Sequence, residues 1–353
     1  MPIFLDSGNL KEIEKFLKYT DRSPDEEIAK LPQANLIATP WNIAANAIMA
    51  GCRPEHMPLL IAATEAIGSE SYNLNNIGTT WGVVPFLFVN GPIVKQLGIE
   101  STERLISGGP NPALGRALGL IIRNIAGYKP GKSQMGTFGY PLAFAFAENE
   151  EKNPWEPFHV EHGFDRNAST VTAGATVTWG WPPSPYDDAD KSAAQSALEM
   201  LSIDLTKKPC IARLVERGPT GFKNMITLLL APPVAKSLAD AGFSKQDIRR
   251  YLYENAKIPM HELDFMTRYG HGHHLIKDKV KQGLLSDEYL VGPNDMVRVL
   301  PSPDIVHIVV CGDPSRNRMM TLWSGYVQPT TKEIKLPKDW DKLMTELGKL
   351  KMK

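Results

Sequence analysis

The sequence predicts an α/β protein of mixed sheet layers with helices, and three observations carry that prediction. Short apolar runs rich in Val, Ile and Phe (83–89, 226–230, 305–310) alternate with segments whose apolar residues recur at helical spacing. Proline is frequent and dispersed, 28 of 353 residues, which favours many short elements over a few long helices. Two of the apolar runs pass directly into proline-started segments, as a strand feeding the first turn of a helix does.

In chain order, residues 9–19 alternate charges with Leu10, Ile13, Phe16 and Leu17 and form a short amphipathic helix. A polar loop over 21–27 precedes a short strand over 35–40, which feeds a helix over 41–49 that Gly51 closes. Pro54 sits where a first helical turn tolerates it, so a further helix runs over 57–67. The run 83–89 is a buried strand that passes through Asn90-Gly91-Pro92 into a helix over 93–97. Residues 111–126 form a helix with Leu114, Leu118, Ile121, Ile122 and Ile125 on one face, and 128–133 is a Gly/Pro/Lys loop. An apolar strand over 142–146, a β-rich run over 169–181 and a helix over 191–201 follow.

Strand 226–231 enters Pro232-Pro233-Val234-Ala235-Lys236-Ser237-Leu238, which echoes Gly91-Pro92-Ile93-Val94-Lys95-Gln96-Leu97. The echo is either a duplicated, pseudo-symmetric core or a chance likeness of two strand-to-helix junctions. A third strand over 305–310 runs into Cys311-Gly312-Asp313-Pro314. The expected organisation is an N-terminal half over 1–165, a second half over 166–326 and a Lys-rich C-terminal docking helix over 327–353. That helix carries Trp340, Leu343, Met344 and Leu347 on one face.

Acidic and basic residues balance at 39 each, so no global field points to nucleic acid or an anionic membrane. The apolar run 117–122 is too short, and too closely flanked by Arg116 and Arg123, to span a bilayer. No N-terminal stretch joins a basic start, an apolar run and a small-residue cleavage site. Cys52, Cys210 and Cys311 are an odd number without framework spacing, so a reducing cytoplasm is expected and a disulfide scaffold is not.

The densest chemistry lies in Ala50-Gly51-Cys52-Arg53-Pro54-Glu55-His56. A cysteine at a helix start, beside a guanidinium and an imidazole, is expected to favour thiolate over thiol. The alternative is a small buried residue at a tight helix–helix junction. A second dense segment, 146–163, joins Glu148, Glu150, Glu151, His159 and His162 with Trp155 just after an apolar strand, where α/β proteins bind ligands. Its carboxylates and imidazoles suit acid–base work or metal ligation; the alternative is a solvated, proline-stiffened loop. In Arg268-Tyr269-Gly270-His271-Gly272-His273-His274, only His271 and His273 would share a face of a strand. Gly-rich pieces at 107–111 and 311–318, with Arg116, Arg123, Arg316 and Arg318 nearby, could receive an anion or be ordinary turns.

Several segments together resemble a known family. They are Ala44-x-Asn46-Ala47-x-Met49-Ala50-Gly51-Cys52-Arg53-Pro54-Glu55, Asn90-Gly91-Pro92, Gly115-Arg116-Ala117-Leu118, Ala147-Glu148-Asn149-Glu150-Glu151 with Pro154-Trp155-Glu156-Pro157, His159-Val160-Glu161 and His307-Ile308-Val309-Val310. In these the chain resembles the large domain of the bacterial UGSC family, named for a selenocysteine-Gly-Ser-Cys motif, over about 36–180 and again near 303–326. No Cys-Gly-Ser-Cys or similar pair occurs in this chain. The resemblance therefore implies a large subunit or domain that works with a separate small thiol or selenol protein, in a homo- or hetero-oligomer. It implies no settled reaction and carries over no catalytic residue.

The functional expectation is an enzyme or enzyme subunit acting on a small anionic substrate, with thiol-dependent redox chemistry favoured. Cys52 would be the nucleophile or redox thiol, His56 or His159 would relay protons, and Glu150 and Glu151 would orient or act as base. Arg53 and Arg116 would hold the anion, with Asn90 and Trp155 also against the substrate. One alternative is a metal-dependent hydrolase or lyase, with His159, His162, His271 and His273 holding a divalent transition metal. Another is a non-catalytic structural subunit in which Cys52 is a packed core residue.

Overall fold

The computed structural model describes residues 7–137, 139, 143–208, 225–270, 275–324 and 327–351. The fold is α/β, divided into two units: Met1–Glu148, His159–Gly174 and Pro329–Lys353 form the first, Asn149–Phe158 and Ala175–Gln328 the second. No helix among the described residues is long and apolar enough to cross a membrane.

Unit 1 opens with α1 (Ser7–Leu17), which buries Ile13 and Phe16, and a two-stranded antiparallel pair, β1 (Ala29–Leu31) and β2 (Leu36–Ala38). Helix α2 (Pro40–Ala50) begins at a reciprocal cap. The Asn42 amide donates to Thr39 Oγ1 and the Thr39 amide donates to Asn42 Oδ1, with Pro40 at the first helical position. Gly51, at φ +82°, ends the helix in the left-handed conformation glycine adopts without strain. Helix α3 (Met57–Gly68) is apolar nearly all round and is almost wholly buried.

Strands β3 (Val84–Asn90) and β4 (Phe144–Ala147) run parallel, with Phe86 opposite Phe144 and Phe88 opposite Phe146. The ring centroids of these pairs lie 5.3 and 5.6 Å apart, forming an aromatic sheet centre. The chain passes from one strand to the other through α4 (Ile93–Leu97) and α5 (Asn111–Asn124). Gly115 of α5 sits so close to the chain entering β4 that a Cβ there would come within 2.5 Å of the Ala143 carbonyl oxygen. Helix α6 (Phe158–Glu161) and strand β5 (Thr170–Thr176) each straddle a border between units.

The sheet order is β12-β5-β3-β4, where β12 (Thr330–Glu333) pairs antiparallel with β5. The C-terminal α12 (Trp340–Lys351) docks through Trp340. Its Nε1 donates to Gln96 Oε1 at 3.0 Å, and its ring meets Tyr19 edge-on at 6.1 Å.

Unit 2 carries the sheet β10-β7-β11-β6, built from β6 (Thr178–Trp179), β7 (Met225–Leu230), β10 (Val306–Val310) and β11 (Met319–Ser324). Strands β7 and β10 are parallel, and β11 is antiparallel to both β7 and β6. Helices α7 (Ala193–Thr206), α8 (Pro232–Asp240) and α9 (Lys245–Asn255) contribute Leu198, Leu201, Val234, Leu238, Ile248 and Leu252 to its core. Smaller pieces, β8 (Lys257–Pro259), α10 (Met260–Phe265), α11 (Ile276–Lys281) and β9 (Met296–Arg298), complete the unit.

The division differs from the expected one in three ways. Residues Asn149–Phe158 leave the N-terminal half for unit 2, residues 166–174 leave the second half for unit 1, and Pro329–Lys353 is part of unit 1 rather than a separate piece. In both units the strand that enters a proline-started helix pairs in parallel with the next long strand, β3 with β4 and β7 with β10. A shared pairing of this kind is weaker than a duplication, and pseudo-symmetry is not shown by it.

Candidate functional site

The segment from Gly51 to His56 joins α2 to α3. The Cys52 amide donates to Ala47 O at 2.9 Å, so the chain stays tied to α2 after the helix has ended. A single 3₁₀ turn, Pro54–His56, intervenes before Met57, so Cys52 lies before that turn and not at the α3 terminus. The Arg53 amide donates to His56 Nδ1 at 3.1 Å. With that lone pair engaged, the neutral ring carries its proton on Nε2, which makes that nitrogen a donor. Arg53 Nε lies 2.8 Å from Glu55 Oε1, and the Glu55 side chain is buried. Burial first, and this carboxylate second, raise the pKa of the Tyr19 hydroxyl.

Arg116, on α5, donates from Nη1 to Ala50 O at 2.8 Å and so satisfies a carbonyl at the end of α2. Its charge also favours a Cys52 thiolate, yet burial outweighs it and the thiol is pushed up to about 12. The expected resting thiolate is therefore reversed: Cys52 is a neutral, buried thiol.

Gly51, Arg53, His56, Lys95, Gly98 and Gly109 line a cleft of about 630 Å³ at this junction. Arg53, whose Nε is paired with Glu55, and Lys95 bring cationic groups to it, and no acidic side chain is in its lining among the described residues. Gly109 approaches Gly98 so closely that a Cβ would lie 2.7 Å from the Gly98 oxygen, which keeps that rim free of side chains.

A second polar cluster sits where β3 and β4 end. Asn90 Nδ2 donates to Glu148 Oε2 at 2.5 Å, and the Glu148 amide donates to Val89 O at 3.1 Å. Both side chains are buried, so Asn90 clamps a carboxylate and is not at the junction cleft. His159 is wholly buried in α6, with Nε2 3.3 Å from Arg166 O. A carbonyl only accepts, so this nitrogen carries the proton in the neutral ring.

Glu150 is half-buried, Glu151 is exposed, and both belong to unit 2 with Trp155. Trp155 packs on the unit 2 core and donates from Nε1 to Phe243 O at 3.0 Å, an anchoring role instead of the expected substrate contact. Cys52, Arg53, His56 and Arg116 meet at one junction of unit 1, whereas Glu150, Glu151 and Trp155 lie in the other unit. His162 is exposed. Among the described residues no three His, Cys, Asp or Glu side chains group to hold a metal ion, so His159 and His162 have no third ligand there. His271 and His273 lie outside the described residues.

Two residues escaped the sequence reading of this region. Lys95 belongs to the echoed Val-x-Lys-x-Leu pattern and is legible there only as part of a repeat. Glu55 stands within the Cys52 motif without an assigned role. Strand β4 ends at Ala147, one residue later than expected, which leaves Glu148 of the dense segment as the carboxylate at its exit. Comparison with known protein families, with curated proteins and with solved structures finds no match to this chain.

Proposed function

We propose that this chain is an enzyme, or an enzyme subunit, that takes a small anionic substrate at the junction of α2 and α3. The observation that carries the reading is the cleft of about 630 Å³ with Arg53, Lys95 and the imidazole of His56 in its lining. Concave sites of this size suit small molecules, and a lining that holds donors and no carboxylate among the described residues favours an anion, even with Arg53 also paired to Glu55 behind it. Cys52 adjoins two lining residues, but with its pKa near 12 it is a poor resting nucleophile. We therefore assign the junction to binding of the anion. The UGSC resemblance supports a separate small thiol or selenol protein as the source of the reactive group in thiol-dependent redox chemistry. Cys52 is a buried free thiol, which supports a cytoplasmic setting.

Titration of the purified chain with citrate, followed by calorimetry, tests the anion site. The expected result is saturable binding that Lys95→Glu weakens by about tenfold, equivalent to about 1.4 kcal/mol. Equal affinity in the parent and the variant would sink the proposal.

The raised thiol of Cys52 also favours a second reading, a non-catalytic subunit that supports a small catalytic partner. Turnover by this chain alone, with no partner present, excludes that reading.

A further inference from the structure

We propose that a second cleft of unit 1 binds an amphipathic anion, a small molecule with an aliphatic or aromatic body and one carboxylate or phosphate head. The site goes beyond the anion cleft at the α2–α3 junction and uses different side chains. Two helix stripes form its walls: Asn42, Asn46 and Met49 of α2, and Leu120, Arg123 and Asn124 of α5. The α2 positions follow the i, i+4, i+7 spacing of one helix face. Strand β2 adds Leu36 and Ile37, and the segment after α5 adds Lys129 and Lys132. The enclosed volume is about 830 Å³, within the range that small-molecule sites occupy.

The apolar part of the lining is exposed to an unusual degree. Leu36, Ile37 and Met49 are 50%, 44% and 46% exposed, and they share this one cleft. Strand β2 pairs with β1 alone, and an edge strand left to water ordinarily carries charge or proline at such positions. Clustered apolar side chains rimmed by polar ones mark a surface that binds something.

The rim says which sign. Arg123, Lys129 and Lys132 are exposed and have no ion pair among the described residues, and no acidic side chain lines the cleft. Each therefore keeps its charge available to a ligand. The polar wall between them is already assembled: Asn124 Nδ2 donates to Asn46 Oδ1 at 2.7 Å, and Asn46 Nδ2 donates to Asn42 O at 2.8 Å. Asn46 is almost wholly buried, so binding there requires little reordering of this wall. An apolar floor under a ring of cations matches a ligand with an apolar body and an anionic head.

Titration with decanoate and, separately, decylamine, read by methyl NMR, tests the site. The expected result is saturable decanoate binding with shifts at Leu36, Ile37 and Met49, and decylamine at least tenfold weaker. The Lys129→Glu/Lys132→Glu protein should bind decanoate at least tenfold more weakly, as should Ile37→Asp. Lys95→Glu should leave decanoate binding unchanged, which separates this site from the junction cleft. Equal binding of decylamine, or shifts confined to other parts of the chain, overturns the proposal. A ligand-free dimer that Ile37→Asp dissociates also overturns it, because the occupant would then be a second copy of this chain.

Discussion

At Cys52 the Arg116 guanidinium and burial pull the thiol in opposite directions, and burial prevails. Reaction of Cys52 with iodoacetamide, followed by peptide mass spectrometry at pH 7.5, should be at least about 100-fold slower than that of free cysteine. Urea should abolish the difference. The same shift bears on alkaline stability, together with Tyr128, whose hydroxyl burial also pushes up to about 12. Both pKa values are raised on folding, so the unfolded chain loses these protons first and stability falls as pH rises. The contribution of Cys52 is full below about pH 9 and is lost as pH climbs toward 12. Urea midpoints at pH 8 and pH 10.5 should differ less in Cys52→Ala than in the parent protein. An identical difference in both would show that the thiol does not titrate as its surroundings dictate.

Helix α5 offers a controlled comparison at the scale of one element. Gly115 faces the chain entering β4, where a Cβ would meet Phe144 Cα at 2.6 Å, whereas a Cβ on Gly119 would meet Ala143 Cβ at an ordinary 3.6 Å. Gly115→Ala should cost about 1–3 kcal/mol through overpacking. Gly119→Ala should raise stability by up to about 1 kcal/mol, the helix propensity of alanine over glycine. Denaturant titration of both variants checks the pair, and equal effects would contradict the packing described for α5 on β4.

Elements with local signals were legible in the chain. Helix α4 runs over Ile93–Leu97 as the proline-started pattern predicts, and Trp340, Leu343, Met344 and Leu347 are the least exposed of the α12 face. Strand β12 was not foreseen, because Thr330-Thr331-Lys332-Glu333 is polar throughout, as suits the edge of a sheet. Helix α9 was passed over although Ser244 and Asp247 form a reciprocal cap that the sequence displays openly. The same distinction holds at the site. Arg53 and His56 are near Cys52 in sequence, so their meeting could be read. Lys95 comes to the cleft, and Asn90 to Glu148, through packing that no local pattern encodes.

At the scale of the whole molecule, the chain enters each unit more than once: 1–148, 159–174 and 329–353 build unit 1, and 149–158 and 175–328 build unit 2. A fragment ending at residue 174 would therefore lack β12 and α12. It would leave β5 unpaired on one side and Tyr19 without Trp340. Such a fragment should give a poorly dispersed NMR spectrum, and addition of residues 329–353 in trans should restore dispersion. A fully dispersed spectrum from the fragment alone would mean that the returning segment is dispensable.

The return of the C-terminus also sets an order of events during synthesis. Domains commonly fold in the order in which they leave the ribosome. Here unit 1 is begun before unit 2 and finished after it, because its edge strand and its closing tryptophan follow the residues of unit 2 in the chain. Until those residues emerge, the β5 edge and the Tyr19 surface wait uncovered, and the nascent chain depends on chaperones or on speed to stay unaggregated while unit 2 is made.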